Sequence, residues 1–133
     1  MVKKTGILNS DLAKVADDLG HTDLVCIGDL GLPVPKGIQK IDLALKRGEP
    51  RFIDVLKVYL DNIVVQKIFL ADEIRTQNPE QLQAIQALLP EGVSVVYYSH
   101  EELKEMTKQC KAVVRTGEDT PFSNIILESG VTI

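Results

Sequence analysis

Two histidines, His21 and His100, are the side chains of this sequence whose ordinary pKa lies near neutrality. Either can give and take a proton under mild conditions, so each is a candidate general acid or base. His21 stands in Gly20-His21-Thr22-Asp23, between a helix-ending glycine and an apolar run. A histidine in such a turn is more often a plain surface residue, and position alone leaves both uses open. Asp29 follows the apolar run and opens a Pro-rich loop. A carboxylate there can orient a histidine or accept hydrogen bonds from ligand hydroxyls; the alternative is a turn aspartate bonding its own backbone. His100 lies in Ser99-His100-Glu101-Glu102, a capping-box pattern that puts it in the first turn of a helix, either exposed or facing a site. Arg115 and Glu118 read as a structural ion pair, and Asn124 as a strand cap or a ligand contact. Tyr97 and Tyr98 offer a stacking face, but adjacent strand residues point to opposite sides, so at most one serves a given site.

Other chemistries fail on spacing. Two His and two Cys match no standard zinc pattern. Gly28-Asp29-Leu30-Gly31 resembles half of a dinucleotide loop, but it lacks the third glycine and runs into proline where a helix must start. No serine sits in a G-x-S-x-G elbow.

The elements that must carry these residues follow from periodicity. Leu12, Val15, Ala16 and Leu19 share one helical face, capped by Ser10 or Asn9 and stopped by Gly20. Leu24–Ile27 is a short buried strand. Gly31 to Gly37 holds two prolines and two glycines and must be a loop. Ile41, Leu43 and Leu45 alternate as a strand. Pro50 opens a helix along Phe52, Val55, Leu56, Tyr59, Leu60 and Ile63. Strands over 64–71 and 93–98 flank a helix entered at Asn78-Pro79, and 112–115 and 124–127 complete the strands. Six strands alternating with four helices predict a single α/β domain over 1–133. A largely parallel sheet would carry helices on both faces, in Rossmann-like layering without the dinucleotide motif. Open sheets of this kind bind ligands beyond the carboxyl ends of their strands. The clusters around His21 and Asp29, around His100, and over Arg115 to Asn124 are expected there.

Bulk properties narrow the partners. The chain has 133 residues, 44% of them hydrophobic, enough for one ordered core. Fifteen basic against nineteen acidic residues leave a net charge of −4, which argues against nucleic acid and anionic membranes. Cys26 and Cys110 lie in apolar stretches and read as buried reduced thiols. No signal peptide or membrane span is apparent, so the cytoplasm is the expected location.

GILNSDLAK (6–14), LGHTD (19–23), DLGLPVPKG (29–37), IDLAL (41–45), EIRTQNP (73–79), SHEELK (99–104) and RTGEDTPFSNIILESGVT (115–132) together resemble the D-ribose pyranase family, within the wider ribose pyranase and fucose mutarotase group. The resemblance implies conversion of β-D-ribopyranose to β-D-ribofuranose, the form used by ribokinase. It implies His21 as proton donor, with ribose held by Asp29, His100 and Phe122-Ser123-Asn124. It also implies ring-like homopentamers stacked into decamers, with sites between subunits. Phe122 stands where the family usually carries Tyr, and Leu30 where Ala is usual. Changing a pyranose to a furanose needs ring opening, a bond rotation and closure through another hydroxyl, and no metal or other cofactor is intrinsically required. Two alternatives stay open: a mutarotase for another sugar such as fucose, and a sugar-binding protein without catalysis.

Overall fold

A computed structural model describes residues 2–133. In chain order the elements are α1 (Ser10–Asp18), β1 (Leu24–Gly28), β2 (Gln39–Asp42), α2 (Phe52–Asn62), β3 (Val65–Ala71), α3 (Ile74–Gln77), α4 (Pro79–Leu88), β4 (Ser94–Tyr98), α5 (His100–Met106), β5 (Ala112–Arg115) and β6 (Ile125–Ser129). The six strands form one sheet in the order β2-β5-β1-β6-β3-β4. β1, β2 and β5 pair in parallel, as do β3 and β4, while β6 runs antiparallel to both β1 and β3. The largely parallel α/β sheet expected from the sequence is therefore what forms. The reversal of β6 decides which residues meet: its start lies beside the carboxyl end of β1, and its end beside the amino end of β1.

Each face of the sheet has its own apolar cluster. On one, Val25, Ile27, Ile68, Leu70, Val114, Ile125 and Leu127 pack against Leu12 and Val15 of α1, Leu56 and Tyr59 of α2, and Ile85 of α4. On the other, Cys26, Phe69, Val113 and Ile126 pack under Leu103 of α5, Cys110, and Leu32 from the Pro-rich loop. Helices thus cover both faces, the second more thinly. Cys26 and Cys110 are free, buried thiols, and burial pushes the Cys110 pKa up to about 12.

Local chemistry sets the helix ends. The Asn9 side chain accepts from Leu12 N at 3.0 Å, and Asn78 accepts from Gln81 N at 3.3 Å to start α4. Ser99 and Glu102 form the expected capping box on α5. Two boundaries differ from the sequence reading. α2 begins at Phe52, with Arg51 rather than Pro50 at its threshold. The strand expected around 41–45 ends at Asp42, and Leu45 lies 79% exposed, because β2 is an edge strand whose partner β5 ends at Arg115. The short helix α3 lies within EIRTQNP, where no helix was expected. Among the described residues no helix is long and apolar enough to cross a membrane.

Candidate active site

The carboxyl ends of β1, β4 and β5 and the start of β6 bring one polar cluster together. Asp29, just past β1, is clamped to Asn124, just before β6, by two reciprocal bonds. The Asp29 N–H donates to Asn124 Oδ1 at 2.9 Å, and Asn124 Nδ2 donates to Asp29 Oδ2 at 3.2 Å. Asp29 Oδ1 accepts from the Gly31 N–H at 3.0 Å, so the turn use considered for it is real. Burial pushes the Asp29 carboxyl above its ordinary 3.8, against the opposing pull of the Gly31 N–H and the Asn124 amide. A Cβ at Gly28 would come within 2.9 Å of Asn124 Oδ1 and 2.7 Å of Leu32 Cδ2, so the clamp needs glycine there.

His100 faces the same cluster. Its backbone N–H donates to both Glu73 carboxylate oxygens, at 3.0 and 3.2 Å, which fixes the start of α5. Its ring meets the Phe122 ring edge-on, centroids 5.2 Å apart. It lies close enough to Asp29 that a positive charge on it would favour the ionised carboxylate. His100 Nδ1 is buried without a hydrogen-bond partner. A buried polar atom left bare is costly, so this one is open to a partner from outside the protomer.

Phe122 holds φ at +55°, a conformation few non-glycine residues adopt and one that clusters at functional sites. The fully buried Ser123 turns its hydroxyl inward instead. Its Oγ receives Gln81 Nε2 at 3.0 Å and lies 2.9 Å from Thr120 Oγ1. That side chain braces the loop, so only its backbone is left to meet a ligand. Nor is the Arg115–Glu118 ion pair formed. Arg115 pairs with Asp42 at 3.0 Å, and the Glu118 carboxylate accepts from Phe52 N and Thr120 Oγ1. Both tyrosines have partners: Arg75 lies over the Tyr97 ring, and Tyr98 stacks on Phe69.

His21 is elsewhere. It precedes β1, so it sits at the amino end of that strand, not beyond the carboxyl end where the cluster rule placed it. The five residues Leu24–Gly28 separate it from Asp29 by more than about 13 Å of strand. Its turn is well fastened. Gly20 N donates to the Asp23 carboxylate, Thr22 N donates to Ser129 O, and Ser129 N and Oγ both donate to Asp23 O. Thr22 holds φ at +72°, a strained setting for a β-branched residue. The exposed His21 ring bonds through Nε2 to Gln66 Oε1 at 3.0 Å, beside an open cleft lined by Ala16, Asn62, Val64 and the tail from Ser129.

Within one protomer, then, Asp29, His100, Phe122 and Asn124 converge and His21 does not. Glu73, Gln66 and Glu128 escaped the sequence reading, and Asn78 and Gln81 were given only a helix-entrance role. Asn78 also donates to Pro121 O at 2.8 Å and so holds the Phe122 turn. Each acts through a partner far away in sequence, which no local pattern signals.

Comparison with known proteins places this architecture. A profile of the RbsD / FucU transport protein family matches residues 2–132. Proteins named D-ribose pyranase from Streptococcus uberis and Lactococcus lactis subsp. cremoris are 65% and 66% identical, each over 99% of this chain and 100% of their own. The solved structure of Bacillus subtilis RbsD complexed with D-ribose superposes with a TM-score of 0.95 at 49% identity, covering 99% of this chain and 100% of that one. A Streptococcus pneumoniae fucose mutarotase, in complex with L-fucose, shares the fold with a TM-score of 0.75 at 21% identity, over 95% of each chain.

Proposed function

Since the chain belongs to the RbsD / FucU transport protein family, we propose that it is an isomerase interconverting β-D-ribopyranose and β-D-ribofuranose, the activity of a D-ribose pyranase. Full-length relatives at this identity carry that activity in their names, and the Bacillus subtilis relative holds D-ribose. That favours ribose over fucose, whose mutarotase resembles this chain in fold alone.

The reaction sets what the residues must do. A base takes the C1 hydroxyl proton, C1=O forms as the C1–O5 bond breaks, and an acid protonates O5. After rotation of the open chain, the C4 hydroxyl adds to C1, losing its proton as the new C1 oxygen gains one. Atoms balance without any electron transfer. His21 supplies the acid, and one placed histidine commonly contributes about 10²–10⁴ in rate. The Asp29 carboxylate and the bare His100 Nδ1 take the sugar hydroxyls, with Asn124 and the Phe122-Ser123 backbone beside them. This pair is the single observation carrying the binding site: a half-buried carboxylate beside a buried, unpartnered imidazole nitrogen, at the carboxyl ends of the strands.

The placement of His21 extends the reading to the assembly. A proton donor must come within about 2.6–3.2 Å of its acceptor, which His21 cannot do at the Asp29 cluster of its own protomer. A second copy has to bring its His21 turn to that cluster. Pentameric rings stacked into a decamer, with sites between subunits, satisfy this requirement. We place the enzyme in the cytoplasm, where its furanose product meets ribokinase. Saturation-transfer NMR on ribose and fucose tests the activity. Pyranose–furanose exchange of ribose should accelerate in proportion to added protein, with fucose anomer exchange far less affected. Ribose binding without acceleration would make the protein a carrier instead.

A further inference from the structure

We infer that Gln66 and Glu128 are positioning residues that fix which nitrogen of His21 handles the proton: Nε2 keeps its hydrogen, and Nδ1 does the transfer. The inference rests on His21 being the proton carrier and adds the atom and the residues that select it.

Gln66 Nε2 lies 2.7 Å from Glu128 Oε2, and Gln66 Oε1 lies 3.0 Å from His21 Nε2. An ionised carboxylate only accepts, so the Gln66 –NH₂ must face Glu128. The amide oxygen therefore faces the histidine. An amide oxygen also only accepts, so His21 Nε2 must carry a hydrogen. In neutral imidazole the other nitrogen then holds the lone pair. Nδ1 is thus the atom that takes a proton to become imidazolium and gives it to O5.

The backbone supports the same arrangement. In the β3–β6 pairing, Val65 faces Ser129 and Lys67 faces Glu128, so Gln66 is the extra residue of a β-bulge. Bulges re-aim a side chain and are over-represented beside active sites. This one turns Gln66 to the seam between Glu128, a neighbour on β6, and the turn before β1. The same β6 end fastens that turn through Ser129. Strand, bulge and turn form one support for the ring.

The test is ¹⁵N NMR of the His21 ring in the assembled protein, with ribose exchange rates measured on the same samples. Wild type should show neutral His21 as a single Nε2–H tautomer. Gln66→Leu should give a mixture of tautomers and lower kcat about ten- to a hundredfold, with ribose affinity unchanged. Glu128→Gln frees the amide to turn and should shift His21 toward Nδ1–H. An Nδ1–H tautomer in wild type overturns the inference by itself, whether or not the variants fold. Wild-type kcat in Gln66→Leu, with His21→Ala inactive, overturns the inference and leaves His21 as the acid. Full activity in His21→Ala overturns the reading beneath it.

Discussion

Asp29 illustrates how environment tunes a single group for two tasks. Burial raises its pKa above 3.8, while Gly31 N–H and the Asn124 amide hold it in place. A carboxyl with a raised folded pKa contributes stability that is complete below its unfolded pKa and is lost as pH rises through the raised one. Ionised Asp29 is therefore a cost to the fold, and its acceptor oxygens are what the proposed ribose site would use. Ribose affinity should fall with pH through a carboxyl titration centred above 3.8, followed by the ¹³C shift of Asp29 and by calorimetry. A titration at or below 3.8 would contradict this. Much at this scale was legible in the sequence: both histidines, Asp29 and Asn124 stood out as reactive or hydrogen-bonding types at element boundaries. The inward turn of Ser123 was not, because Gln81 and Thr120, which claim its hydroxyl, meet it only after folding.

Among the elements, α5 shows how a helix end becomes part of a site. Its capping box holds Ser99 and Glu102, Glu73 fastens the His100 N–H, and the ring of His100 is thereby aimed at the cluster. Ser99→Ala should lower unfolding free energy by about 1 kcal/mol, read by urea denaturation. It should also weaken ribose binding, because His100 sits in the freed first turn. Unchanged affinity alongside lost stability would mean that Glu73 alone aims His100. The periodicity of α1, α2 and α4 and the apolar runs of β1, β3 and β5 were strong enough to read directly, since each faces a continuous core. β2 was misjudged by alternation because an edge strand stops where its one partner stops, not where its own pattern does. The reversal of β6 was invisible, since its apolar residues would suit either direction.

For the molecule as a whole, the main finding is a division. The cluster proposed to bind sugar and the proposed proton donor occupy opposite ends of β1, so the rule that ligands lie beyond carboxyl ends fits the place of Asp29 and not that of His21. Sequence carries no record of which surface of a second copy arrives at the cluster. Subunit mixing tests the consequence. His21→Ala and Asp29→Ala variants, each inactive alone, should regain up to about a quarter of wild-type activity when co-assembled, because some shared sites then contain neither substitution. No recovery in verified mixed oligomers would mean that both residues serve one protomer after a rearrangement.

The central claim is that the imidazole at position 21 moves the proton that opens and closes the ribose ring. Saturation-transfer NMR of ribose with His21→Ala, at matched concentration and assembly state, tests it most directly. The pyranose–furanose exchange rate per site should drop by about 10²–10⁴ while ribose still binds. Exchange at the wild-type rate would contradict the account.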